Sequence, residues 1–318
     1  MAKQRRTIGM NKALLLMACL LLLPGAATKG NAARQSETGT APQQESKARP
    51  AARTGAAGPA EKTLVICGSG DSQNLLRQLA KAYEQSHAGV HLDVPDSIGS
   101  GGGIKAVAAG KCDLGRVARP LKKKEQDLRL AYLLFADSPV VFAVNSSVRG
   151  ISSISSGQVV GIFSGAITRW SEIGGPPEKI YVANREKGDS SRTIIEKQLP
   201  GFAAIDKPVG QILYTTQENV AAINRYKHTI GYASLSEAGN QPNLVLLRLD
   251  NVAPDRENVR RKRYKLVAPF GLVWKDPPDQ EVKNFIDFLY SPAAEKIMAD
   301  HGVFSALRKR EHHDSTSP

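Results

Sequence analysis

Short apolar runs alternate with polar, glycine-bearing turns along most of this chain, and the spacing of the runs predicts its elements. Leu64-Val65-Ile66 predicts a short buried strand that ends in the turn Gly68-Ser69-Gly70. Leu75, Leu76, Leu79, Ala80 and Tyr83 then recur at helical spacing, which predicts a helix through about Ser86. A second strand is predicted over 90–94, followed by the glycine-rich turn Gly99-Ser100-Gly101-Gly102-Gly103 and a helix of small residues over 104–109. Two strand, turn, helix units in succession favour a parallel sheet with right-handed crossovers, whose ligands gather at the carboxyl ends of the strands.

Farther along, residues 140–144 form an apolar strand continuous enough to pass from one lobe to another, and a helix follows over about 152–163. The unit then appears a third time. Tyr181-Val182-Ala183-Asn184 leads into Arg185 and the turn Gly188-Asp189-Ser190-Ser191, and a helix is expected over 192–199. Val282, Phe285, Ile286, Phe288 and Leu289 make an amphipathic segment near the end. The expected organisation is two lobes, the first from 63–143 plus 265–307 and the second from 144–264, with a flexible tail over 308–318.

The remaining long apolar run lies at the start, over residues 13–23, behind Lys3, Arg5, Arg6 and Lys12 and ahead of Gly25-Ala26-Ala27. This is the pattern of a secretory signal, expected to end at residue 27 and to send the chain to the periplasm or another extracytoplasmic space. Eleven residues are too few to cross a hydrocarbon core of ~30 Å, so no stable membrane span is expected. Leu16-Met17-Ala18-Cys19 offers an alternative, lipid attachment at Cys19, but four leucines follow that cysteine where a lipobox normally ends the apolar segment. Residues 28–62 are rich in small and polar residues and read as a disordered linker.

Composition changes this picture little. Of the 318 residues, 41% are hydrophobic and 23% charged, ordinary for a chain that buries a core. The net charge of +13 raises nucleic acid as a partner, yet the excess sits at the two ends and in the clusters Lys122-Lys123-Lys124 and Arg260-Arg261-Lys262-Arg263. With aromatics at 6%, those clusters are expected to be solvated surface. Cys67 and Cys112 are expected to stay unpaired, because one ends a strand and the other begins one. His87, His91, His228 and His301 lack metal-ligand spacing, so no metal is expected. No nucleophile elbow, zinc-binding helix motif, Walker A loop or full dinucleotide fingerprint is present, and neither an enzyme nor a cofactor is expected.

The three turns carry the chemistry. Each opens a helix, and each supplies serine hydroxyls beside backbone N–H groups that the first helical turn leaves unpaired. Helix N-termini attract anions, and Arg185 adds a planar fork of donors. Arg116 and Arg119 could line the cleft as anion donors, but surface or salt-bridged roles are favoured for them, and Trp170 is read as part of a core.

The ordered set Gly68-Ser69-Gly70-Asp71-Ser72, Gly99 to Lys105, Asp113-Leu114-Gly115 to Arg119-Pro120-Leu121, Ser164 to Trp170, Arg185 to Ser191 and Ile230-Gly231-Tyr232 resembles a known family. These are the phosphate-binding periplasmic proteins of bacterial phosphate ABC transporters, within the type II periplasmic binding protein superfamily. The resemblance implies a two-lobe α/β fold of mixed, mostly parallel sheets flanked by helices, with the ligand in a cleft between lobes. It implies capture of phosphate or a similar oxyanion for a permease, by a monomer. A sensing or interaction protein of the same fold is an alternative, and a phosphate-ester hydrolase a weaker one. By the same resemblance the ligand-binding residues are Ser69, Gly70, Asp71, Ser72, Ser100, Gly101, Arg185, Asp189, Ser190 and Ser191. The chain departs from the family pattern in three places. Ala118 stands where Asp or Ser is usual after the third strand, Asp189 where Ser is usual, and Asp71 adds a carboxylate to the first turn. Asp71 and Asp189 either accept a ligand's proton or cap helices and pair with Arg185 or Lys105.

Overall fold

The structure, a computed structural model, describes residues 62–306. The expected signal peptide, the tail over 308–318 and all of the expected linker except Lys62 lie outside the described residues.

The chain begins with β1 (Lys62–Gly68), a short 3-10 turn (Gly70–Ser72), α1 (Gln73–Glu84), β2 (Val90–Asp93), α2 (Gly99–Ala108) and β3 (Leu114–Val117). A single-turn helix, α3 (Lys123–Gln126), precedes the long strand β4 (Leu130–Asn145). Then come β5 (Ser153–Ile154), α4 (Ser156–Ser164), β6 (Tyr181–Arg185), α5 (Ser190–Gln198), β7 (Gln211–Leu213), α6 (Thr216–Arg225) and β8 (Thr229–Ser234). The short elements α7 (Leu235–Ala238), β9 (Leu244–Leu246), β10 (Arg248–Leu249) and α8 (Arg256–Arg260) lead back through β11 (Val267–Lys275) to α9 (Gln280–Phe288), α10 (Pro292–Asp300) and β12 (Phe304–Ser305).

The main sheet runs in the order β2-β1-β3-β11-β4-β8-β6-β7, with β9 and β12 also on β4. Its outer parts are parallel: β1 pairs with β2 and β3, and β6 with β7 and β8. Its middle is antiparallel and rests on β4, whose residues from Leu130 to Pro139 pair with β11 except at Phe135, where the register shifts, and whose residues from Val140 to Val144 pair with β8. At about 3.3 Å per residue a strand of 16 residues spans roughly 50 Å. It therefore reaches from β11 on one side of the sheet to β8 on the other.

The aromatics pack in two groups within one core. Tyr83 meets Phe285 and Phe288 edge-on under α1 in one, and Phe142, Phe163, Phe202 and Tyr232 cluster in the other. The predicted apolar face of α1 is buried as spaced, with Leu75, Leu76, Leu79, Ala80 and Tyr83 turned inward.

Two sequence expectations are corrected here. The glycine run 99–103 is not a turn ahead of a helix but the opening of α2 itself. Packing overrides propensity at this point, because α2 presses directly on β1. A Cβ on Gly103 would lie 2.7 Å from Gly68 Cα and 2.9 Å from the Cys67 carbonyl oxygen, so only glycine allows the approach.

The second correction concerns the cysteines, which form a disulfide, with Cα atoms 6.1 Å apart. Staggered register explains it. β2 pairs with the first half of β1, from Lys62 to Val65, while β3 pairs only with its end, from Ile66 to Gly68. The residues leading into β3 therefore lie beside the end of β1, where Asp113 N–H donates to the Val65 carbonyl (3.0 Å) and its carboxylate accepts from Val65 N–H (2.8 Å). Parallel strands in full register would have kept the two thiols at opposite ends.

Gly103→Ala is expected to cost about 1–3 kcal/mol in urea unfolding, because backbone rather than a flexible side chain must move. Replacing both cysteines with serine removes a cross-link between residues 45 apart and is expected to cost roughly 2–4 kcal/mol in the same assay.

Candidate functional site

The first turn is set from beneath by a buried arginine. Arg116 on β3 is fully buried and donates from Nε to the Ser69 carbonyl (2.7 Å) and from Nη2 to the Pro95 carbonyl (2.7 Å) and Gln73 Oε1 (3.1 Å), with a further bond from Nη1 to the Ile66 carbonyl. It is neither at the surface nor salt-bridged, contrary to expectation. Burial, with Arg77 nearby, draws its pKa down to about 10. With Arg116 holding the carbonyls, the chain turns sharply at Gly68, whose φ of +138° suits glycine. Ser69 caps the turn by accepting from Asp71 N–H at 3.3 Å.

The third turn meets the first two, through Ser191 with Asp71 and Ser190 with Ser100. Ser100, in the first turn of α2, accepts from Ala118 N–H (3.1 Å), and its Oγ lies 3.0 Å from Ser190 Oγ. Asp189 is the N-cap of α5, accepting from Arg192 N–H at 2.9 Å. A cavity of about 80 Å³ lies between the turns. That is enough for an ion of a few heavy atoms, and far below the ~300 Å³ at which sites for organic ligands begin. Ser69, Gly70, Ser100, Gly101, Arg185, Asp189 and Ser190 line it.

Three of the ten expected residues do not reach the cavity wall. Asp71, Ser72 and Ser191 are buried behind it. Asp71 Oδ1 accepts from Ser191 Oγ (3.2 Å) and Thr216 Oγ1 (3.0 Å), and its backbone carbonyl accepts from Ser234 and Ser236 hydroxyls, both at 2.7 Å. The 3-10 turn is thus bonded to the other lobe on all sides, with Gln217 Nε2 also donating to the Gly70 carbonyl at 2.9 Å.

Thr216 was absent from the sequence expectations and lines the cavity. Its Oγ1 accepts from Arg185 Nη1 (3.1 Å) and donates to Asp71, so it joins the guanidinium to the carboxylate. A signal for it exists in the chain. Thr215-x-x-Glu218 is a capping box that opens α6, a fourth polar turn at a helix start. Arg119 also lines the cavity but is held by two bonds to Glu125, at 2.7 and 2.8 Å.

Arg185 ends β6 and is positioned by its backbone. Its N–H donates to Asn184 Oδ1 (2.9 Å), the acceptor also used by the Tyr232 hydroxyl (2.9 Å). The guanidinium pairs with Asp189 Oδ2 at 2.9 Å and donates to the Tyr214 carbonyl at 3.2 Å. Its Nε stands 3.5 Å from Glu186 Oε2, an ion pair too long for a hydrogen bond. Both readings of Asp189, cap and partner of Arg185, hold at once. Burial and the neighbouring Asp71 charge push the Asp189 pKa up to about 7, and burial raises that of Asp71. Buried polar atoms without a protein partner gather here too. Asp71 Oδ2, Ser72 Oγ, Arg185 Nε and Glu186 Oε2 are four of the eight such side-chain atoms among the described residues.

Other expectations resolve away from the cleft. Trp170 is buried in the second lobe and donates to the His228 carbonyl at 3.1 Å. His87 stacks on Tyr83, and His91 lies 2.9 Å from Glu84.

A profile of the PBP superfamily domain matches residues 42–293. The chain belongs to the PBP superfamily. Within that superfamily it is 25% identical, over 91% of both chains, to a protein of Bacillus subtilis named phosphate-binding protein PstS. It is 24% identical to the protein of the same name from Borreliella burgdorferi, over 76% of this chain and 89% of that one. A crystal structure from Clostridium perfringens, of a protein described as a phosphate ABC transporter substrate-binding protein with bound phosphate, aligns with a TM-score of 0.70 and 26% identity, covering 77% of this chain and all of that one. The expected fold class, two α/β lobes with a cleft between them, is the one observed.

Asp71, Asp189 and Glu237, the last also pushed up to about 7 by burial, all hold protons more tightly in the fold than in the unfolded chain. The folded state therefore binds more protons between the ordinary carboxylate range and about pH 7, so stability rises as pH falls through that window. Thermal melts without added oxyanion are expected to give a higher Tm at about pH 5.5 than at about pH 8. A Tm that rises with pH across that range would contradict the assignment.

Proposed function

We propose that this chain is an extracytoplasmic solute-binding protein that captures phosphate, or a similar tetrahedral oxyanion, and delivers it to an ABC permease. The observation that carries the reading is the convergence of three helix-opening turns and Arg185 on one cavity of about 80 Å³. Supporting it are the names of the two PstS relatives and the bound phosphate of the Clostridium perfringens structure.

The mechanism is capture without covalent chemistry. The N-termini of α2 and α5 direct positive potential at the cavity, and hydroxyls of Ser69, Ser100 and Ser190 stand with backbone N–H groups to replace the anion's hydration shell. Arg185 supplies the charged donor. The ligand-binding set is the cavity wall, with Asp71, Ser72 and Ser191 supporting it from behind. Among the described residues no imidazole or lysine lines the cavity to activate a serine, which favours a binding role over hydrolysis.

The lobes divide near residues 143 and 264, where β4 passes across and the chain returns. Tyr264 Oη donates to the Val140 carbonyl (2.8 Å), and Val140 N–H to the Leu266 carbonyl (2.8 Å). Opening between these strands admits the anion, and closure excludes water, which strengthens the charge-assisted bonds. Among the described residues no helix is long and apolar enough to cross a membrane. The chain is taken to be exported by its leader and to act as a monomer beside a permease.

Titration calorimetry with phosphate, sulfate, arsenate, molybdate and tungstate tests the ligand class. Arg185→Ala is expected to weaken phosphate binding by roughly 30-fold or more, since it removes hydrogen bonds from a buried charge. Arg261→Ala, at an exposed position, is expected to change it less than about twofold. Equal losses would remove Arg185 from the site.

A further inference from the structure

The cleft carries an unusual charge balance for one that receives an anion. Arg119 is neutralised by its two bonds to Glu125. Among the described residues Arg185 is the remaining cation on the wall, and three carboxylates surround it: Asp189 at 2.9 Å, Glu186 at 3.5 Å, and Asp71 through the shared Thr216 hydroxyl. The other charged groups packed around this pair offer no spare positive charge. On α5, Arg192 is paired with Glu196 at 2.8 Å, and Arg116 on β3 is spent on carbonyls and Gln73. From α7 comes another carboxylate, Glu237, bonded to Asn74, and from α6 Glu218, bonded to backbone N–H groups of Tyr214 and Thr215. Tyr232 on β8 faces the pair with a hydroxyl committed to Asn184.

An oxyanion of charge two placed here would meet more negative than positive charge in a cavity lined largely by buried side chains. Arg185 would also have to divide its fork between the ligand and Asp189. We propose that the cleft binds its oxyanion together with a proton, taken from solvent by the Asp71–Asp189 carboxyl pair, so that Arg185 is released from Asp189 to the ligand. The proton converts one carboxylate of the pair to a carboxylic acid, and the anion takes its place on the guanidinium. Both carboxyls lie in surroundings that disfavour their charged forms, through burial first, with the Asp71 charge adding to it at Asp189 and the Glu186 charge at Asp71. Asp71 Oδ2 is buried with no protein hydrogen-bond partner, so its charge stands uncompensated near Arg185 and Asp189, and the proton that releases the guanidinium is the one taken by Asp189. Affinity then rises as pH falls toward 7 at fixed ligand charge, because fewer carboxylates compete for Arg185. This inference rests on the oxyanion reading of the site and extends it to the ligand's accompanying ion.

Calorimetry of the full chain with inorganic phosphate at about pH 8, in two buffers of different ionisation enthalpy, counts the protons taken up. Uptake approaching one proton per phosphate in the wild type, falling to less than half of that in Asp71→Asn with Asp189→Asn, is the expected result. Asparagine keeps the N-cap of α5. Heats independent of buffer overturn the proposal, and so does uptake that persists in the double variant, since the proton then rides on phosphate itself. Circular dichroism melts verify folding. Should the double variant not fold, Asp189→Ser alone, which also preserves the cap, is expected to reduce uptake, and undiminished uptake there is equally fatal. A wild-type chain with no saturable heat for any oxyanion of the panel fails the parent reading and this one with it, which is distinct from binding without proton uptake.

Discussion

A buried guanidinium has to be answered by charge and by hydrogen bonds, and the arrangement around Arg185 follows from that requirement. Removing a cation from water is costly unless several acceptors replace its hydration. Here the acceptors come from separate parts of the chain: Asp189 from the cap of α5, the Tyr214 carbonyl and Thr216 from the start of α6, and Asp71 through Thr216 from the opposite lobe. Each also has a second task. Asp189 holds the first turn of α5, and Asp71 ties the 3-10 turn to Ser191, Ser234 and Ser236. The network that stabilises the charge is therefore the network that holds the lobes together.

A second buried arginine does the corresponding work on the other side. Arg116 binds the Ser69 carbonyl of the first turn together with the Ile66 and Pro95 carbonyls beside it, and its own carbonyl accepts from Ser69 N–H at 2.9 Å. The turn is thereby fixed in place beside the cavity that Ser69 and Gly70 line. The close approach of α2 to β1 at Gly103 brings the second turn within reach of the first. A larger side chain there would push Ser100 away from Ser190.

The superfamily fold accommodates this design while the local residues alter its electrostatics. Ala118 gives its backbone N–H to Ser100 and brings no carboxylate to the cleft. The carboxylates stand instead at 71 and 189, on either side of the guanidinium, where they act on the strength of its positive charge as well as on its position.

Local pattern by itself determined the elements that carry the site. The strand, turn, helix units, the apolar face of α1, the long strand through 140–144 and the anion chemistry of the turns at 69, 100 and 190 all follow from spacing and capping, which act over a few residues. Seven of the ten expected site residues reach the cavity for that reason. What only the tertiary structure decided was register and layer. The stagger of β3 against β1 joins Cys67 to Cys112, packing turns the glycine run into helix, and the depth of the 3-10 turn places Asp71, Ser72 and Ser191 behind the wall while Thr216 comes forward. Such choices depend on which distant surfaces meet, and contacts between residues more than a hundred positions apart, such as Asp71 with Thr216, leave no trace in local periodicity.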